Sequence, residues 1–182
     1  MTTPLEQLAA VVAQMRHKPI RNYILPGLSS YLIGDGNENG TVRMFDSARE
    51  THEYICPHSH RYDFACLVLE GSVLNTIYHP ADDADTDWYV QSELTYRNIG
   101  EYTTKRIALA RFKFDTTKYT AGEIYAMSRR EIHSIKFSKN AKVLFFEGPS
   151  ISVKTLALEP HVHGRHISLM KTEDWMFLKD EE

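Results

Sequence analysis

The residues best suited to chemistry are His58-Ser59-His60 and, well downstream, His133. Side chains two apart on an extended segment project to the same side, so both imidazoles of the pair can reach one ion. A third histidine from a distant strand brought alongside would complete a facial set. That set leaves open positions at which iron can hold substrate and oxygen together. A lone inward histidine is ordinarily a hydrogen-bonded core residue, and it is the convergence with the pair that makes His133 a candidate ligand. Asp63, three residues after His60, offers a carboxylate as a fourth ligand or as a partner that orients an imidazole. Arg129 and Arg130 precede His133 and could fork onto a substrate carboxylate, although Ser128-Arg129-Arg130 also reads as a solvated turn. Tyr125, with Tyr62 and Tyr78, could bring a phenol to the same pocket. Arg129 and Tyr125 are therefore the candidate catalytic residues, and His58, His60 and His133 the candidate metal ligands.

Two other clusters compete. His161-Val162-His163-Gly164-Arg165-His166 could hold Zn²⁺ or Ni²⁺, but it follows Glu159-Pro160 and contains a glycine, the composition of an exposed loop. The acidic run from Asp82 to Asp87 lacks the glycine and terminal glutamate of a calcium loop and reads as a solvated connection. Cys56 and Cys66 are the only cysteines. With no export signal at the N-terminus, they are expected to be reduced thiols in a cytoplasmic protein. Cys66 shares parity with Val68 and is expected to be a small buried hydrophobe.

The elements that must position these groups are mostly strands. The chain opens on a predicted helix, with Thr3 as N-cap, Pro4 at the first helical position and Glu6 completing a capping box. Leu5, Leu8, Ala9, Val12 and Met15 form its apolar face. Pro19, Pro26, Gly27 and Gly34-Asp35-Gly36 then punctuate a passage read as loop up to residue 40. From there the pattern predicts strands at 41–45, 53–56, 64–70, 72–78, 87–97, 105–114, 123–127, 133–137, 142–146 and 152–158, with Gly71 at a turn or bulge. At 105–114, Ala108, Ala110, Phe112 and Phe114 alternate with Leu109, Arg111 and Lys113, the pattern of a half-buried antiparallel strand. At 133–137, His133, Ile135 and Phe137 share the apolar face. Many short strands with no βαβ alternation predict an all-β jelly-roll barrel with an N-terminal helix. The organisation expected is an extension over 1–40, a barrel over 41–158 and a tail over 159–182 packing on it.

The 182 residues suffice for one domain with its own core. A net charge of −3 with scattered basic residues gives no reason to expect nucleic acid as partner. No apolar stretch is long enough to span a membrane. A homodimer through the helix or exposed strands is open.

The stretch Pro57-His58-Ser59-His60-Arg61-Tyr62-Asp63-Phe64-Ala65-Cys66-Leu67-Val68-Leu69-Glu70-Gly71 resembles the first motif of the cupin superfamily, an H-x-H pair followed by glutamate and glycine. Gly122 to Gly148 around His133 resembles the second motif, which contributes a later histidine. The resemblance covers about residues 41 to 158 and implies a jelly-roll barrel with a metal in its mouth. This chain departs where the family places its glutamate, having Phe64 or Ala65, and Ser128-Arg129-Arg130 replaces the P-x-G before the second-motif histidine. A neutral three-histidine set is similar to that of the thiol dioxygenase branch. It implies a non-haem Fe(II) dioxygenase acting on a small molecule and O₂. A cupin isomerase or hydrolase using Zn²⁺ or Mn²⁺, Ni²⁺ as the ion, and a non-enzymatic ligand-binding cupin module remain open at this point.

Overall fold

In the computed structural model the described residues are 19–34, 40–51, 56–82, 86–98, 101–162 and 165–166. The helix expected at the N-terminus lies outside them. So do residues 53–55 of one expected strand, residues 83–85 of the acidic run, His163, and the tail beyond residue 166. The strands are β1 (Leu28–Gly34), β2 (Thr41–Ser47), β3 (Phe64–Glu70), β4 (Ser72–Pro80), β5 (Asp87–Asn98) and β6 (Glu101–Thr120). They are followed by β7 (Ile124–Met127), β8 (Ile132–Phe137), β9 (Lys142–Glu147), β10 (Lys154–Val162) and β11 (Arg165–His166). They form two antiparallel sheets, ordered β1-β2-β9-β3-β7 and β11-β10-β5-β6-β4-β8. Among the described residues no helix is long and apolar enough to cross a membrane.

The core lies between the sheets and follows from alternation. Phe64, Cys66 and Val68 of β3 are buried, as are Val143 and Phe145 of β9 and Tyr125 and Met127 of β7. They meet Val73 of β4 and Phe137 of β8 from the opposite sheet. Each row takes every second residue of its strand, the periodicity that lets one face leave water while the other stays hydrated. Met44, Leu69 and Leu144 form a separate buried cluster on the reverse parity of β2, β3 and β9. Between β3 and β4 the chain passes from one sheet to the other at Gly71, whose φ of 69° favours glycine. A Cβ there would also stand 2.9 Å from the Ala141 Cα.

Two local expectations fail for identifiable reasons. The passage before residue 40, read as loop, contains β1, which pairs along β2 from Leu28↔Ser47 to Gly34↔Val42. Its sequence, Leu-Ser-Ser-Tyr-Leu-Ile-Gly, has no clean alternation: Ser30 is buried while Leu32 is exposed. The free edge of β2, a tertiary feature, makes it a strand. The second concerns β6, which pairs with β5 through its first half, from Asn98↔Glu101 to Asp87↔Phe112, and with β4 through its second, from Pro80↔Phe112 to Ser72↔Thr120. Burial is reached where it changes neighbours, at Phe112, whereas Phe114 on the same parity is 53% exposed. Alternation assigns a residue to a face but cannot say whether another layer covers that face.

Candidate metal centre

The segment carrying the histidine pair runs between β8 and β10. His58 and His133 exchange both backbone hydrogen bonds, with His58 N donating to His133 O at 2.9 Å and His133 N donating to His58 O at 3.0 Å. On the other side Leu158 N donates to Pro57 O and Ser59 N donates to Leu156 O, each at 2.8 Å. These bonds hold the segment extended, so Ser59 turns away and its hydroxyl accepts the Leu156 amide at 2.8 Å. His58 and His60 project together into the interior, the alternation that an H-x-H spacing exploits. The backbone pairing brings His133 directly alongside.

The three imidazoles form one cluster, with ring centroids 4.8 Å apart for His58 and His60, 5.1 Å for His60 and His133, and 5.5 Å for His58 and His133. Their candidate ligand nitrogens all lie within 4.8 Å of one another, and no other such group of three occurs among the described residues. His60 Nε2 and His133 Nε2 are 2.9 Å apart. Two nitrogens each ~2.1 Å from an ion at a right angle would stand ~3.0 Å apart, so this pair already has the spacing of adjacent ligands. Nitrogens 4.8 Å apart are too far for a common ion at that radius, and a small side-chain rotation must draw the widest pair inward.

Hydrogen bonding assigns the tautomers of two rings. His58 Nδ1 donates to Cys56 O at 2.9 Å, and His133 Nδ1 donates to Asn75 Oδ1 at 2.7 Å. Each bond leaves Nε2 unprotonated, with a lone pair that can face an ion, the usual arrangement by which an outer partner fixes a metal-binding imidazole. The short contact with His133 then requires His60 Nε2 to carry the proton when no ion is bound, and loading would move that proton to Nδ1. Burial keeps all three rings neutral, which is the ligating form. It lowers the pKa of His58 against a smaller opposing effect of the Cys56 carbonyl. His60 is held well below its ordinary value by burial and then by its two histidine neighbours. His133 is lowered to about 3 by burial and then by His58.

The cluster opens on a cavity of about 90 Å³. Its wall is largely aromatic, with Phe64 4.7 Å from the His60 ring and Phe145 4.8 Å from Phe64. Ile135 and Phe137 line it together with His133, as their shared parity predicted. Tyr125 also lines it, and among the described residues its buried hydroxyl meets no partner other than the Cys66 thiol. The adjacent Cys66 thiol is only a weak acceptor. Cys56 and Cys66 are both buried and free.

Other expected residues lie elsewhere. Asp63 does not join the histidines: its carboxylate is exposed and accepts the Arg129 amide at 2.7 Å. Arg129 thereby anchors the 128–131 turn through its backbone, and neither Arg129 nor Arg130 lines the cavity. The orienting role considered for Asp63 falls to the Cys56 carbonyl and Asn75. His161 and His166 are cross-strand partners of β10 and β11, and His161 does not line the cavity.

Two residues of the site escaped the sequence reading. Asn75, 1% exposed, interrupts the inward row Val73, Asn75, Ile77 of β4. Glu147 ends the cavity-lining row Val143, Phe145, Glu147 of β9. A single polar residue on an otherwise apolar parity is a visible signal in both cases, because burying it demands a partner.

No family model matches the chain, and no curated protein matches it. Among solved structures it is similar to an RmlC-like cupin from Shewanella frigidimarina, at 14% identity over 74% of this chain and 86% of that one, with a TM-score of 0.42. It is also similar to the cupin domain of Cnp3 from Schizosaccharomyces pombe, at 12% identity over 78% and 69%, TM-score 0.40. A third likeness is to hydroquinone 1,2-dioxygenase PnpCD in complex with Cd²⁺ and 4-hydroxybenzonitrile, at 10% identity over 80% and 71%, TM-score 0.41.

Proposed function

We propose that this protein is a metal-dependent cupin that binds a small molecule, with non-haem Fe(II) dioxygenation as its activity. The observation that carries this reading is the convergence of three neutral, inward-facing imidazoles on an aromatic cavity, two of them fixed by Nδ1 hydrogen bonds that leave Nε2 unprotonated. Imidazole ligands suit iron, zinc, copper and nickel, whereas Mg²⁺, Ca²⁺ and Mn²⁺ favour carboxylates, and none is present in this group. His58, His60 and His133 would hold the ion, which when it is Fe(II) supplies open positions for substrate and O₂. Asn75 and the Cys56 carbonyl orient the rings, the Phe64 and Phe145 walls limit water, and Tyr125 presents a hydroxyl to a bound molecule. Arg129 stays outside this mechanism because its backbone is tied to Asp63 at the surface. A zinc-dependent isomerase or hydrolase is the second reading, favoured by the same all-imidazole set.

The test is elemental analysis of untagged protein purified without added metal, beside a His58→Ala/His133→Ala variant, followed by a screen for substrate-dependent O₂ uptake. Near-stoichiometric iron that disappears in the variant, together with O₂ uptake, is the expected result. Zinc lost in the same way moves the chemistry to the second reading. Metal that is absent, or unchanged in the variant, refutes the site.

A further inference from the structure

Among the described residues Glu147 is the one carboxylate on the wall of the cavity. Its side chain is only 13% exposed, and its Oε1 accepts hydrogen bonds from Tyr62 Oη and from Arg43 Nε, each at 3.2 Å. The Tyr62 ring lies 5.4 Å from that of His60, so the carboxylate stands one side chain away from the histidine cluster. Among the described residues Oε2 accepts no hydrogen bond. A carboxylate set into an aromatic wall is costly unless its charge and lone pairs are satisfied. Arg43 offsets the charge and two donors occupy Oε1, which leaves the second oxygen as an acceptor on a wall whose other polar side chains are imidazoles, phenols and the Cys66 thiol.

The size of the cavity restricts what can use that acceptor. At about 90 Å³ it is smaller than the roughly 150 Å³ that accommodates benzene, so a ligand of about four to six non-hydrogen atoms fits. We propose that Glu147 is a ligand-recognition residue whose free oxygen accepts a hydrogen bond from the hydroxyl or ammonium end of a short-chain bifunctional molecule, the other polar end of which reaches the histidines. The place of the second end rests on the metal-centre reading above. The role of Glu147 rests on the carboxylate and the cavity alone.

The experiment compares 1-propanol, 1,3-propanediol and 3-amino-1-propanol, which differ in the far end: a methyl, a hydroxyl or an ammonium. Each is titrated into the full chain and followed by protein NMR, with metal content measured on the same sample. At least one donor-ended probe is expected to bind about tenfold tighter than 1-propanol, the scale of a charge-assisted hydrogen bond. Glu147→Gln should reduce that preference to within about twofold, since its amide nitrogen replaces an acceptor with a donor. Tyr62→Phe, which keeps the carboxylate, should retain it. Equal binding of all three probes, or a preference that survives in Glu147→Gln, overturns the proposal. Loss of the preference in Tyr62→Phe alone overturns it too, by assigning recognition to the phenol. A sample with the preference but no metal overturns the metal-centre reading instead, and metal without preference overturns only this one.

Discussion

Replacing Asn75 by leucine tests whether the orientation of His133 is set from outside the cluster. Asn75 is 1% exposed, and its Oδ1 accepts His133 Nδ1 at 2.7 Å, while Nδ2 donates to Met127 Sδ at 3.4 Å. Leucine keeps comparable bulk in the row between Val73 and Ile77 but leaves the buried imidazole N–H without an acceptor. An orphaned buried donor costs roughly 1–3 kcal/mol of folding stability. Released from its partner, the ring can rotate or take the other tautomer, and loss of such a partner weakens metal binding about 10- to 100-fold. That range corresponds to roughly 1.4–2.7 kcal/mol, similar to the stability cost, so the two must be measured separately. Urea denaturation of metal-free protein gives the first, and competition for Zn²⁺ against a chromophoric chelator gives the second. A variant that folds and binds Zn²⁺ within twofold of wild type would refute the reasoning, because His133 would then hold its geometry without Asn75.

Acid should destabilise the metal-free protein. His58, His60 and His133 have lowered pKa values in the folded chain, His133 to about 3, against ~6.5 when unfolded. Below pH ~6.5 the unfolded state therefore binds more protons, and stability falls with pH by up to about 1.4 kcal/mol per unit for each histidine until its folded pKa is reached. The urea midpoint should be level from pH 7 to 8 and drop steadily between 6.5 and 4, and a midpoint that holds or rises at pH 5 would contradict the burial of the cluster. Burial also pushes the thiols of Cys56 and Cys66 up to about 12, reinforced at Cys56 by Glu159 and partly opposed at Cys66 by Tyr125. A disulfide-exchange reagent at pH 8 should accordingly label both cysteines at the rate of unfolding, since the thiolate is the reactive form. Immediate labelling of folded protein would show that one of them is accessible.

Whatever depends on period and on residue type is legible in the chain. Strands β3, β4, β5, β8 and β9 were legible as short runs rich in apolar and β-branched residues between turn residues, and the inward parity of His133, Ile135 and Phe137 followed from the side-chain alternation of a strand. The spacing of His58 and His60 required a common side as soon as the segment was extended. Which polar groups meet these side chains depends on contacts between distant segments. Asn75 reaches His133 because β4 pairs with β8 in the register that sets Ile77 opposite His133 and Asn75 opposite Ile135. Glu147 meets Tyr62 across 85 residues of sequence, and Asp63, close to His60 in the chain, is drawn instead to the Arg129 amide. Alternation fixes a side chain's face within its own strand, but register, sheet order and the layer that covers a face arise from contacts between distant segments. The candidate ligands could therefore be read from the chain, whereas the partners that orient them and the size of the cavity they face could not.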